Sequence, residues 1–151
     1  MPQSLAKIHL HIVFSTKHRY PFLSSDPFRA EMHSYLGGTC NALDCQAITV
    51  GGSSDHVHLL CMLSKNLSAV QLVGEIKRRS SKWAKTKASM TGKFSWQNGY
   101  GVFSIGQSHI ETVQSYILDQ LKHHQKKSFQ EEYLDILKSH RVKYDERFLW
   151  D

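Results

Sequence analysis

Long apolar runs are missing from this 151-residue sequence. No stretch approaches the roughly 18 apolar residues that a membrane helix needs. Met1-Pro2-Gln3-Ser4 opens without an apolar signal core, so a cytoplasmic protein with no membrane partner is expected. Cysteine is scarce and odd in number. Cys40, Cys45 and Cys61 match neither a zinc-ribbon nor a redox spacing, which argues against a disulfide scaffold and for a reduced compartment. With only three prolines and no repeat, low-complexity tract or linker, residues 1–151 read as one domain. Acidic residues are also in short supply: 13 Asp+Glu face 19 Lys+Arg, a net charge of +6 with a sequence pI near 9.3. Such a balance points to an anionic partner, of which nucleic acid is the commonest.

What is present suffices for a core, with 40% hydrophobic residues, and ten histidines stand out in a chain this short. From Lys7 to Phe14 the residues alternate, with Ile8, Leu10, Ile12 and Phe14 on one face and His9, His11 and Val13 on the other, the period of a half-buried strand. A helix is expected next, with Asp26 as N-cap, Pro27 in its first position and Gly37-Gly38 near its end. Strands over Gln46–Val50 and His56–Leu63 flank a Gly51-Gly52-Ser53-Ser54 turn. Ser68 and Gln71 form a capping box for a long helix with Leu72, Val73, Ile76 and Trp83 on its apolar side. Phe94 to Ile105 reads as a strand interrupted by Asn98, Gly99 and Gly101. Ser108 with Glu111, and Ser128 with Glu131, open two further helices, the second running through Leu137. The aromatic tail from Tyr144 to Asp151 is expected to pack on the body. This order matches an α+β, ferredoxin-like (split βαβ) antiparallel sheet with helices on one face, followed by a C-terminal helix bearing Tyr116 and a short final helix.

Within Asp55-His56-Val57-His58-Leu59-Leu60, His56 and His58 stand at i and i+2 of a strand, so their imidazoles share a face and can share one ion. His9 and His11 have the same spacing on the first strand, and spacing alone does not choose between the pairs. The glycine-rich turn before His56 favours the second pair. On the Ser108 helix, Tyr116, Gln120 and His123 recur at i, i+4 and i+7. A partly buried tyrosine beside Val113 and Ile117 explains that stripe without any chemistry. The chemical alternative is a phenol nucleophile toward phosphorus, with Gln120 adding a neutral oxygen ligand to a two-histidine site. Nitrogen and oxygen donors with open positions suit a divalent metal ion such as Mg2+ or Mn2+.

Asp55-His56-Val57-His58-Leu59-Leu60 followed by Tyr116-Ile117-Leu118-Asp119-Gln120-Leu121-Lys122-His123-His124 resembles the single-tyrosine HUH transposases, small enzymes of insertion sequences that move as single-stranded DNA. Three further stretches carry the resemblance across nearly the whole chain. They are His11-Ile12-Val13-Phe14-Ser15-Thr16-Lys17-His18-Arg19, Gln97-Asn98-Gly99-Tyr100-Gly101-Val102-Phe103-Ser104 and Ser128-Phe129-Gln130-Glu131-Glu132-Tyr133. The resemblance implies His56, His58 and Gln120 as metal ligands and Tyr116 as the nucleophile. It implies cleavage and rejoining of single-stranded DNA through a 5′-phosphotyrosine, recognition of hairpins at element ends, and a homodimer.

Between Lys65 and Lys93 eight basic residues face one acid, Glu75, a local charge of +7. Arg78, Arg79, Lys82 and Lys85 lie on the helix, with Arg78, Lys82 and Lys85 opposite its apolar stripe. These four, with His11, Lys17 and Arg19 near the first strand, are candidates for DNA contact. Two other readings compete. A non-catalytic or domesticated hairpin-binding protein on the same sheet is one, although histidines rather than aromatics on the open face of the strands count against a base-stacking platform. A zinc hydrolase lacks a glutamate beside the histidine pair to act as base.

Overall fold

The computed structural model describes residues 2–151. Four strands form one antiparallel sheet in the order β2-β3-β1-β4: β1 (His9–Ser15), β2 (Ala47–Gly52), β3 (His56–Met62) and β4 (Gly101–Ile105). The helices are α1 (Asp26–Ala42), α2 (Ala69–Ala84), α3 (Ile110–Leu118), α4 (Gln120–His123) and α5 (Phe129–Ser139). This is the split βαβ order, with α1 and α2 as the crossovers.

The alternation in β1 and β3 is realised. Leu10, Ile12 and Phe14 join Val57, Leu59 and Cys61 in a core closed by Met32, Leu36 and Cys40 of α1 and by Leu72, Val73 and Ile76 of α2. The three cysteines are buried and form no disulfide. The opposite face, carrying the histidines, was expected to be open but is covered. Val13 and Phe103 pack there against Phe129, Tyr133 and Leu137 of α5, with Leu149 and Trp150 of the tail alongside. Two glycines make that second layer possible. A Cβ on Gly51 would lie 2.4 Å from the Ile117 carbonyl oxygen, and one on Gly101 would lie 2.8 Å from the Tyr133 ring. Gly51 pairs with His58 across the β2–β3 ladder, so α3 rests on the sheet directly beside the histidine pair.

Several local expectations change. Ser25, not Asp26, caps α1, because its side chain accepts from the Phe28 N–H, while Asp26 instead pairs with Arg29. The helix passes through Gly37 and Gly38 to Ala42. Only Gly101–Ile105 of the Phe94–Ile105 stretch is strand; Trp96 makes an isolated bridge to Thr16. The capping boxes at Ser68–Gln71 and Ser128–Glu131 form, whereas that at Ser108–Glu111 does not, a 3-10 turn over Gln107–His109 replacing it. The tyrosine helix breaks at Asp119, beyond which Gln120 is buried and Leu121 exposed.

Candidate active site

The histidine face of β3 and the two elements laid over it converge on one buried cluster. His56 and His58 have fully buried side chains, and Gln120 and Glu132 are almost as enclosed. His58 Nε2 lies 2.9 Å from Glu132 Oε1, and His56 Nε2 lies 2.8 Å from Gln120 Oε1 and 3.4 Å from Glu132 Oε1. The Tyr116 hydroxyl donates to Glu132 Oε2, which also accepts from Gln120 Nε2 at 2.9 Å. His124 Nε2 closes the rim, 3.0 Å from Gln120 Oε1 and 3.2 Å from Glu132 Oε1. One carboxylate therefore ties the phenol, the amide and the His58 imidazole together.

Both imidazoles present Nε2 to this centre because Nδ1 is held from behind. His56 Nδ1 donates to Asp55 Oδ1 at 2.8 Å, and His58 Nδ1 shares a 2.8 Å hydrogen bond with His11 Nε2, the two rings stacked with centroids 5.0 Å apart. An outer partner on the distal nitrogen is what orients a metal-ligating histidine. With Asp55 accepting from Nδ1–H, His56 Nε2 faces the Gln120 carbonyl oxygen, which has only lone pairs to offer. Converging acceptors of this kind are a donor set for a cation. His56, His58 and Glu132 form a group able to hold a metal ion, their ligand atoms lying within 4.8 Å of one another; Gln120 Oε1 stands at the same centre.

The electrostatics agree with that use. Burial lowers His58 to about 4, against the opposing pull of Glu132, so its ring is neutral and free to ligate. Burial, aided by the neighbouring His58, lowers His11 to about 3. Burial alone would raise the Glu132 carboxyl, but hydrogen bonds from His124 and His58 outweigh it and hold the group well below the carboxylate range. Burial and the Glu132 carboxylate push the Tyr116 phenol upward, so it is held protonated in this state.

The sequence brought His56, His58, Gln120 and Tyr116 to one site, and the structure places all four there. The competing pair does not form a second centre: His11 backs His58, and His9 lies on the same strand outside the cluster. His11, a candidate DNA contact, is therefore 4% exposed and engaged with His58. Lys17 and Arg19 sit in a turn with left-handed backbone at His18 and Arg19, and Arg19 donates to the Trp150 carbonyl. Arg78 and Arg79 pair with Glu75, while Lys82 and Lys85 are exposed, the first three on α2 and Lys85 as its C-cap, behind the opposite face of the sheet. Glu132 was missed. Its signal is a carboxylate set between Phe129, Tyr133 and Ile136 on the apolar stripe of α5, where a charge needs a buried partner.

No helix among the described residues is long and apolar enough to cross a membrane. Residues 4–120 match the profile of the family described as Transposase IS200 like. The transposase for insertion sequence element IS200 of Salmonella typhimurium is 26% identical over 117 residues, covering 74% of this chain and 76% of the relative, and the Salmonella typhi protein matches equally. A crystal structure described as a transposase from Deinococcus radiodurans R1 superposes with a TM-score of 0.60 at 19% identity, over 80% of this chain and 95% of that one. A REP-associated tyrosine transposase bound to a REP hairpin superposes with a TM-score of 0.59 at 12% identity, over 82% and 73% of the two chains. The shared fold, with a profile match that begins near the N-terminus and ends on Gln120, leads to one conclusion: the chain belongs to the IS200-like transposase family.

Proposed function

We propose that this transposase cleaves and rejoins single-stranded DNA with Tyr116 as nucleophile, in a site built by His56, His58, Gln120 and Glu132. The observation that carries the reading is the Tyr116 hydroxyl hydrogen-bonded to the same carboxylate that bonds His58 Nε2. The Tyr116 oxygen attacks the scissile phosphorus, forming a P–O bond to the phenol while the bond to the 3′ oxygen breaks. A 5′-phosphotyrosine and a 3′-hydroxyl result, and attack by a 3′-hydroxyl reverses the step. The ester preserves the energy of the broken linkage, so no nucleotide triphosphate is consumed. Glu132 orients the phenol, Asp55 and His11 hold the two imidazoles with Nε2 inward, and Gln120 spans the centre. His56, His58, Glu132 and Gln120 would hold a divalent cation, Mg2+ or Mn2+ by the nitrogen and oxygen donors, and that ion would supply Lewis-acid polarisation of the phosphodiester.

DNA hairpins at element ends are the proposed recognition target, with Lys17, Arg19 and the basic surface of α2 as contacts; the REP-hairpin complex of a protein of the same fold supports this. A homodimer and action on chromosomal or plasmid DNA in the cytoplasm complete the reading.

The test incubates the protein with Mg2+ or Mn2+ and single-stranded oligonucleotides from the DNA flanking the gene, followed by a denaturing gel. A covalent adduct is expected, absent with Tyr116→Phe while hairpin binding persists. Hairpin binding with no adduct under either metal favours the binding-protein alternative.

A further inference from the structure

The two imidazoles of the site are backed by different chemistry. Behind His56 stands the Asp55 carboxylate, with Oδ1 2.8 Å from Nδ1. A carboxylate only accepts, so it holds the His56 hydrogen on Nδ1. Behind His58 Nδ1 stands His11 Nε2, also at 2.8 Å. An imidazole nitrogen either donates or accepts, according to where its ring carries the hydrogen. Asp55 therefore serves one tautomer of its partner, whereas His11 can serve both. At the other end of this file, His58 Nε2 lies 2.9 Å from Glu132 Oε1. The ionised Glu132 accepts, which puts the His58 hydrogen on Nε2 and leaves a lone pair on Nδ1. Burial keeps both rings neutral, so the 2.8 Å contact is completed by a hydrogen on His11 Nε2. His58 is fully buried, yet His11 and Glu132 on either side of it both line one cleft of about 870 Å3.

In that tautomer His58 Nε2 bonds Glu132 but has no lone pair for a cation. Ligation through Nε2 requires the hydrogen on Nδ1, and His11 Nε2 must then accept it. The hydrogens balance along the file. The one on His58 Nε2 passes to water on the Glu132 side, His58 Nδ1 takes the one on His11 Nε2, and His11 Nδ1 takes one from water in the cleft. Each ring keeps a single hydrogen and no charge. We propose that His11 is a positioning residue that sets the tautomer of His58, donating through Nε2 while His58 bonds Glu132 and accepting there when His58 ligates a divalent cation. His56, with its hydrogen fixed by Asp55, needs no such exchange. The proposal rests on the reading that His56, His58, Gln120 and Glu132 hold the ion; it is independent of the nucleophile.

Long-range proton–nitrogen NMR spectra of the imidazoles in the full chain read the tautomers directly. Zn2+ is the probe, because it is diamagnetic and takes nitrogen and oxygen donors. Without metal, His11 and His58 are expected as Nε2–H. At saturating Zn2+ both become Nδ1–H, although His11 itself meets no ion, while His56 stays Nδ1–H throughout. Calorimetric titration with Mn2+ then compares wild type with His11→Leu, His11→Gln and, as control, His9→Leu. His11→Leu removes the acceptor and should weaken Mn2+ binding about 10–100-fold, the usual cost of losing an outer partner. His11→Gln supplies an amide that donates or accepts and should restore most of the affinity. His9→Leu should match wild type. A His11 ring that keeps Nε2–H at saturating Zn2+ overturns the proposal and leaves the metal site standing. So does a folded His11→Leu that binds Mn2+ as wild type does, or a His11→Gln as weak as His11→Leu. Wild type that binds neither ion removes the metal reading and the proposal together. The same tautomer exchange in Tyr116→Phe as in wild type supports the proposal apart from the strand-transfer chemistry.

Discussion

The two faces of β1 and β3 are built from alternate residues of the same strands, and they do opposite work. On one face Leu10, Ile12, Phe14, Val57 and Leu59 meet α1 and α2 in an apolar core that needs no partner beyond close packing. On the other, His11, His56 and His58 are buried as deeply, yet every ring finds a polar partner: Asp55, Glu132 or another imidazole. Burial is the same and its physical meaning differs. The apolar side stabilises the fold by removing surface from water, whereas the polar side would destabilise it if any partner were lost. The sheet thus supports on its apolar face the dense polar cluster it carries on the other.

The sharpest way to break that comparison is to change neighbours one residue apart. His58→Ala is expected to lower metal-dependent cleavage by more than about 100-fold, because losing only an outer partner of a metal ligand already costs 10–100-fold. It leaves the apolar core intact and the chain folded. Leu59→Ala, on the apolar side, should instead destabilise the fold by about 2–5 kcal/mol while the folded fraction keeps its metal affinity. Calorimetric titration with Mn2+ and denaturant unfolding separate the two outcomes. If His58→Ala unfolded the protein and Leu59→Ala abolished metal binding, the division of labour would be wrong. His9→Ala, on the polar face but outside the cluster, should do neither.

Acid probes the same asymmetry more gently. Burial holds His58 at about 4 and His11 at about 3. Both groups titrate near 6.5 in an unfolded chain, which therefore binds more protons than the fold as the pH drops below about 6.5. Stability falls across that window toward pH 4. Glu132, held below its ordinary value, adds a loss in the same sense as the pH falls through the carboxylate range. His124 opposes them, because its raised value gives stability that disappears as the pH rises. Thermal melts in chelator should show a melting temperature that declines from pH 7 to pH 5. A flat profile would mean the buried imidazoles are charged and paired, contrary to the polar face described here.

The sequence made one half of this division legible and hid the other. Period-two alternation located both faces of β1 and β3, while the i and i+2 spacing of histidines offered two pairs, and the family resemblance, not spacing, chose His56 and His58 with Tyr116 and Gln120. The second layer was not legible, because it depends on Gly51 and Gly101 accepting close contact from α3 and α5, a tertiary fact that looks like turn chemistry in a linear reading. Glu132 escaped for a related reason. Its neighbour Glu131 fits the capping box with Ser128 and explains the acidity of the helix start locally, so nothing short-range asks for a second carboxylate. Asp119, which ends α3, carries no proline or glycine to announce the break before Gln120.

The smallest expected effect lies on the far side of the sheet. Lys82 and Lys85 are exposed on and just beyond α2, whose inner surface closes the apolar core, so they stand across the sheet from Tyr116. Arg78 and Arg79 are engaged with Glu75, and their fields are partly spent within the helix. If this surface grips a DNA hairpin, Lys82→Ala and Lys85→Ala should each weaken hairpin binding evenly across sequences and lower its salt slope by about 0.9 per lost phosphate contact. Neither change should alter how fast a bound strand forms the Tyr116 adduct, because α2 packs through Leu72, Val73 and Ile76 on the opposite, apolar face of the sheet. Measuring affinity and single-turnover adduct formation on the same hairpin-bearing oligonucleotide resolves the two terms. A slower adduct at saturating protein would connect α2 to the chemistry through the sheet and erase the separation between the faces; weaker binding with an unchanged rate would give each face its own task, grip behind and cleavage in front.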